Sequence, residues 1–257
     1  MYRSKEYAVR DTARVSADIK SFAAAEPETA KVFIADGDAF GVETERLLAT
    51  LDELRGAFPH LRRVSSYATP INIYRKSDAE LSQLSQAGLE LLYIGMESGS
   101  DEVLKRITKG ANAALIQEGV ARAHAAGIKV SATVILGLGG TDGWEEHIDG
   151  TIDCVNASPP RFLSTLQLGL EDVVDEEFHR KQRQPFVWQD DRGMLLELER
   201  LIEGLNPSRP VIFRSNHASN SLALAGNLPK DRDRLLREVR GALRGDRPLR
   251  PDWRRGY

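Results

Sequence analysis

Cysteine is almost missing from this sequence, with Cys154 the one example in 257 residues. A lone thiol excludes an intrachain disulfide, and it excludes any zinc or iron-sulfur site that draws several thiolates from this chain. Long apolar runs are missing too. None reaches the roughly 18 to 20 residues that a membrane span requires. Met1 is followed by Tyr2-Arg3-Ser4-Lys5-Glu6 rather than by a signal sequence, so the cytoplasm is the expected location. The sequence contains no low-complexity segment and no Gly-Ser linker, which argues against a separate second domain.

What is there is ordinary for a globular protein: 41% hydrophobic and 28% charged residues, enough to bury a core. The length suits one large α/β barrel or two small domains. The net charge of −3 hides an asymmetry, because Lys230–Tyr257 holds ten Lys or Arg against five Asp or Glu. The spacing of Leu235, Leu236, Val239 and Leu243 within that stretch predicts an amphipathic closing helix with a solvated tail rather than a nucleic-acid surface.

Helix and strand patterns alternate with a period of about 30 residues. Helices are expected over residues 13–25, 43–57, 78–87, 112–126 and 144–156, with strands at 31–35, within 61–74, and at 91–96, 129–136 and 162–168. Gly88 and Gly127 mark helix ends. Residues 170–207 are charged and irregular apart from a helix near 192–203, and Val211-Ile212-Phe213 makes one more strand. The expectation is an α/β fold of parallel strands, with residues 1–170 as core and 171–257 as a rim insertion, last strand and C-terminal helix of the same domain. Sites in such folds lie at the C-terminal ends of the strands.

Four segments stand at those ends. Asp36-Gly37-Asp38 sets two carboxylates about a glycine, suited to an ammonium group or a metal, or to a plain Asx-type turn. Glu97 directly follows a buried strand and must be solvated, paired or ligand-bound, while Ser98 or Ser100 can cap the next helix. Gly137-Leu138-Gly139-Gly140-Thr141-Asp142-Gly143 reads as a tight turn or an anion cradle. Arg214-Ser215-Asn216-His217-Ala218-Ser219-Asn220 crowds hydrogen-bonding side chains after a strand, with His217 a base, a ligand or a structural group.

In order, Asp36-Gly37-Asp38, Tyr93-Ile94-Gly95-Met96-Glu97-Ser98-Gly99-Ser100 and Gly137-Leu138-Gly139-Gly140-Thr141 resemble the radical S-adenosylmethionine (radical SAM) superfamily over roughly residues 1–170. The resemblance implies a partial (β/α)6 TIM-like barrel that holds S-adenosylmethionine and a [4Fe-4S] cluster and draws on an electron donor. It implies that Asp36, Gly37 and Asp38 contact the cofactor's amino group, that Glu97 and Ser98 face it, and that Gly137 and Gly139 lie near the adenine. Arg214, Asn216, His217 and Asn220 are the candidate substrate residues. The family's three cluster cysteines, spaced C-x3-C-x2-C, are absent from this sequence. Met1 would then be an internal methionine after a missing first strand and cluster loop, and the chain as given would be inactive in radical chemistry. Two other readings stay open: a non-catalytic barrel binding an adenosyl ligand or a protein, and a lyase or hydrolase using Glu97, His217 and Asp38.

Overall fold

The computed structural model describes residues 8–35, 38–170, 172–182 and 185–256, and Asp36 and Gly37 lie outside them. The chain divides into two compact units, one of Met1–Ile94 with Ala121–Val130 and one of Gly95–Val120 with Ser131–Tyr257.

The first unit opens with α1 (Thr12–Ala25), where the Asp11 carboxylate accepts the Ala13 N–H at 2.9 Å. Strands β1 (Lys31–Ile34), β2 (Arg63–Tyr67) and β3 (Leu89–Glu97) run parallel, pairing Val32 with Val64 and Tyr67 with Tyr93. Between them lie α2 (Thr44–Ala57), α3 (Pro70–Arg75) and α4 (Asp78–Gln86). Helix α3 starts where Pro70 fixes the first helical φ and Thr69 caps the Asn72 N–H. The sequence pattern gives this short helix no separate signal inside the 61–74 stretch. In α4, Ser77 and Glu80 form a reciprocal capping box. Phe40, Leu51, Ile73, Leu81, Leu84 and Leu92 are buried in this unit.

Helices α5 (Asp101–Arg106) and α6 (Ala113–Ala125) lead to β4 (Lys129–Leu136), α7 (Gly140–Ala157) and β5 (Phe162–Gln167). Then come α8 (Asp172–Lys181), α9 (Asp191–Gly204), β6 (Val211–Ser215), β7 (Leu224–Leu228) and α10 (Arg232–Leu243). Strands β4, β5 and β6 are parallel, with Leu136 opposite Gln167 and Leu163 opposite Phe213, and β7 returns antiparallel with Gly226 opposite Phe213. Within each unit, among the described residues, neighbouring strands follow chain order. This is the α/β architecture that the alternation predicts, with one strand more: Leu224-Ala225-Gly226-Asn227-Leu228 is short, and Gly and Asn weaken its strand signal. Helix α7 begins at Gly140 rather than at Trp144, so half of the glycine-rich stretch is its first turn. Among the described residues, no helix is long and apolar enough to cross a membrane.

The basic end of the chain is used internally. In α10, Leu235, Leu236 and Val239 are buried, and Arg240 pairs with Glu199 and Glu203 at 2.5 and 2.9 Å. Arg255 takes both oxygens of Asp191, at 2.7 and 2.6 Å.

Candidate functional site

In the first unit, Asp38 precedes a 3-10 turn, Ala39–Gly41. Its carboxylate accepts from Asn72 Nδ2, and its carbonyl accepts the Gly41 N–H at 2.9 Å. A Cβ on Gly41 would stand 2.8 Å from the Asp38 carboxylate. Buried Lys76 donates to the Val42 carbonyl at 2.8 Å and to Thr44 Oγ1 at 3.2 Å. Burial lowers its pKa, against opposing Glu80, Glu43, Glu45 and Asp38. Asp38 is thus already tied into the turn that follows β1.

In the second unit the β3–α5 corner is strained. Glu97 has φ 63°, and the Ser98 N–H bonds back to the Met96 carbonyl at 2.8 Å, the i to i+2 bond of a γ-turn. Non-glycine residues in this region cost on the order of 1–3 kcal/mol and cluster at functional sites. Across the corner, Lys109 Nζ donates to Glu97 Oε1 at 2.9 Å. Helix α5 delivers that lysine by its C-terminal geometry. The Thr108 N–H reaches Lys105 O at 3.1 Å, the Lys109 N–H reaches Leu104 O at 2.9 Å, and Thr108 takes φ 56°, a Schellman motif with threonine where glycine is usual.

Ser98 is fully buried, and its hydroxyl meets His147 Nδ1 at 2.8 Å while accepting the Ser100 N–H at 3.0 Å. His147 Nε2 meets the Ile135 carbonyl at 3.0 Å, so Nε2 carries the proton and Nδ1 accepts. Burial lowers the imidazole pKa to about 4. The Ser98–His147 pair is therefore a neutral strut, sealed from solvent, rather than a nucleophile and base. Beside it the Gly99 N–H donates to Thr151 Oγ1 at 3.0 Å, and a Cβ on Gly99 would fall 2.1 Å from the Gly150 carbonyl oxygen, so two backbones touch there. Ser100, as expected of a capping residue, accepts the Val103 N–H.

After β4, Gly137 takes φ 83° and its N–H goes to Glu197 Oε2 at 2.7 Å. The Gly140 N–H goes to Gly137 O and the Thr141 N–H to Val187 O, both at 3.0 Å. These three donors are engaged within the protein, as in a tight turn. Gly139 has φ −75° and is needed for space, since a Cβ there would meet the Gly143 carbonyl oxygen at 2.6 Å.

The segment after β6 divides by role. Asn220 is buried, accepts the Gln167 N–H at 2.8 Å and donates to Thr165 O at 2.8 Å and Ser215 Oγ at 2.9 Å, which staples β5 to β6. Arg214 is exposed and donates to its neighbour's carbonyl, Phe213 O, while Asn216 is exposed. His217 Nδ1 accepts the Ser219 N–H at 3.2 Å. Glu97, Ile135, Leu138, Leu168, Phe178, His217 and Ser219 border a cavity of about 380 Å³. The structure brings Glu97 and His217 to one cavity and leaves Asn220 in a staple beneath it. Lys109, His147 and Glu197 carry no local motif, and only their partners in space reveal them.

A sequence model of the Radical SAM superfamily matches residues 2–151. The chain belongs to the radical SAM superfamily. No curated protein matches it. Among solved structures, coproporphyrinogen III oxidase from Escherichia coli is similar with TM-score 0.58 at 15% identity, over 77% of this chain and 47% of that one. The archaeal Elp3 of Methanocaldococcus infernus also scores 0.58 at 15% identity, over 91% and 58%, and methylornithine synthase scores 0.55 at 10% identity, over 93% and 63%. At these identities the likeness is one of fold, and this chain spans less than two thirds of each of the three.

The superfamily implies S-adenosylmethionine and a [4Fe-4S] cluster, and the residues of this chain fit the two unequally. Cys154 is buried on α7, burial raises its pKa to about 11, and its Sγ lies 3.8 Å from Ala113 O. Among the described residues no three His, Cys, Asp or Glu side chains group to hold a metal. A cubane cluster does not fit these residues. The cavity, with apolar walls and a few polar groups at its edge, has the kind of lining that an adenosyl group requires.

Proposed function

We propose that this radical SAM chain binds the adenosyl portion of S-adenosylmethionine, or of a derivative, in the cavity between Glu97 and His217, and drives no radical step with its own residues. The observation that carries the reading is the strained Glu97 at the edge of an apolar cavity, in a chain of this superfamily. When bound, such a ligand supplies an adenosyl group on a sulfonium. The chain supplies the binding. Ile135, Leu138 and Leu168 offer flat apolar contact to a purine, and the Glu97 carboxylate, neutralised by Lys109, accepts hydrogen bonds from ribose hydroxyls. Gly137 and Gly139 shape the turn that presents Leu138.

Titration calorimetry with S-adenosylmethionine and S-adenosylhomocysteine tests this. Saturable binding that Glu97→Gln weakens about tenfold, as expected for losing a hydrogen bond to a charged group, supports it, and no heat with either ligand refutes it. A second reading, acid–base catalysis, is favoured by the placement of Glu97 and His217 on one cavity. Turnover of a small-molecule library in air without added cofactor would select that reading.

A further inference from the structure

Glu197 is a carboxylate that the binding reading leaves unused. It is fully buried on α9, where a charged side chain is rarely found without a partner. Its Oε2 accepts the Gly137 N–H at 2.7 Å and its Oε1 accepts Gln189 Nε2 at 3.2 Å. Gly137 opens the turn that carries Leu138 into the cavity wall. Gln189 belongs to the connector before α9, whose Val187 carbonyl takes the Thr141 N–H. In the same connector, Phe186 packs edge-on against Phe178 of the cavity wall, with ring centroids 4.9 Å apart. One side chain thus ties the turn that carries Leu138 into the wall to the connector that packs behind that wall through Phe186.

We propose that Glu197 is the positioning residue of the adenosyl cavity, a clamp whose two oxygens hold the Gly137 turn and the Gln189 connector at the spacing the ligand requires. The proposal rests on the adenosyl reading above and adds its regulation. Both groups that face the carboxylate are donors, so the anion satisfies both, whereas the acid must turn a proton toward one of them. Burial pushes the Glu197 pKa up to about 7, against smaller opposing effects of Gly137 and Gln189. As long as Glu197 stays buried, its two hydrogen bonds hold better on the anion, and the clamp tightens as pH rises through neutrality.

Neither Gly137 nor Gln189 titrates, and the charged groups named here on α9 and on the helices packed against it have other partners. Asp190 accepts the Gly193 N–H at 2.7 Å, Arg200 pairs with Asp149 of α7 at 2.6 Å, and Glu199 pairs with Arg240 of α10. His147 of α7, with its pKa near 4, stays neutral throughout. His217 borders the cavity as well, so the Glu197→Gln variant is the control that assigns the effect to Glu197.

The test is calorimetry of the full chain with S-adenosylhomocysteine from pH 6 to 8, on wild type and Glu197→Gln. Wild-type affinity is expected to rise with pH by up to about tenfold, the limit for a one-unit pKa change on binding, and Glu197→Gln is expected to bind more weakly at pH 8 and lose that rise. Equal affinities with equal pH slopes overturn the proposal. Hydrogen exchange over residues 136–142 without ligand supplies an independent reading. Protection that falls below pH 7 in wild type but not in Glu197→Gln supports the clamp, and identical protection overturns it. If wild type binds no adenosyl ligand at any pH, the adenosyl reading fails and the ligand half of this proposal with it, while exchange still decides whether Glu197 clamps the turn.

Discussion

Among the described residues, two other than glycine take positive φ, Glu97 and Thr108, and they are three-dimensional neighbours through Lys109. Their strain has different uses. Thr108 only ends α5, so Thr108→Gly should raise stability by about 1 kcal/mol and leave ligand affinity unchanged, as urea denaturation and calorimetry would show. Glu97 carries the proposed ligand contact, so relieving it should cost affinity. Glu197 pays in another way for its position. Its folded pKa of about 7 lies above the ordinary 4.5, so its contribution to stability is greatest below about pH 4.5 and is lost as pH rises to about 7. The fall is expected to be roughly 3 kcal/mol at most, and denaturant midpoints from pH 4 to 8 should show it in wild type and not in Glu197→Gln.

At the scale of elements, the alternation of helix and strand was legible because apolar periodicity is local: Val32-Phe33-Ile34 and the run 129–136 announce themselves. What stayed illegible depends on distant partners. His147 meets Ser98 across 49 residues and Glu197 meets Gly137 across 60, and neither residue has a motif of its own. In the Arg214–Asn220 segment the density of polar groups did not reveal their separate roles, since the polar groups of Asn220 staple two strands while His217 borders the cavity. Among helix ends, α4 gives the clearest test. Its capping box and Thr44 draw the Glu80 pKa down to about 2, the Thr44 hydrogen bond first. That stability is present above about pH 4.5 and is lost as pH falls toward 2. Ser77→Ala should destabilise the protein by about 1 kcal/mol, measured by thermal or urea unfolding at neutral pH.

For the molecule as a whole, the single thiol decides what chemistry is open. Reconstitution of this chain with iron and sulfide under anaerobic conditions should give no sulfide-to-iron charge-transfer absorption and no cluster signal in electron paramagnetic resonance. A spectrum typical of [4Fe-4S] would show that the chain holds a cluster with ligands other than a cysteine set. Charge is settled at this scale too. The excess of arginine in the last 28 residues is spent on carboxylates of α9 and α10 and on backbone carbonyls, which leaves less of it to attract a polyanion than the sequence count implies.

The meeting of Gly99 with Gly150 also bears on how the protein can change over generations. Each position would drive an added methyl to within 3 Å of the other's backbone, so neither can accept any other residue unless both segments move, and a single mutation cannot achieve that. Gly56 and Gly241, inside helices with open space around them, are the opposite case, and alanine there should add up to about 1 kcal/mol. A deep mutational scan would therefore find the Gly99–Gly150 contact frozen and these two helix positions free to change.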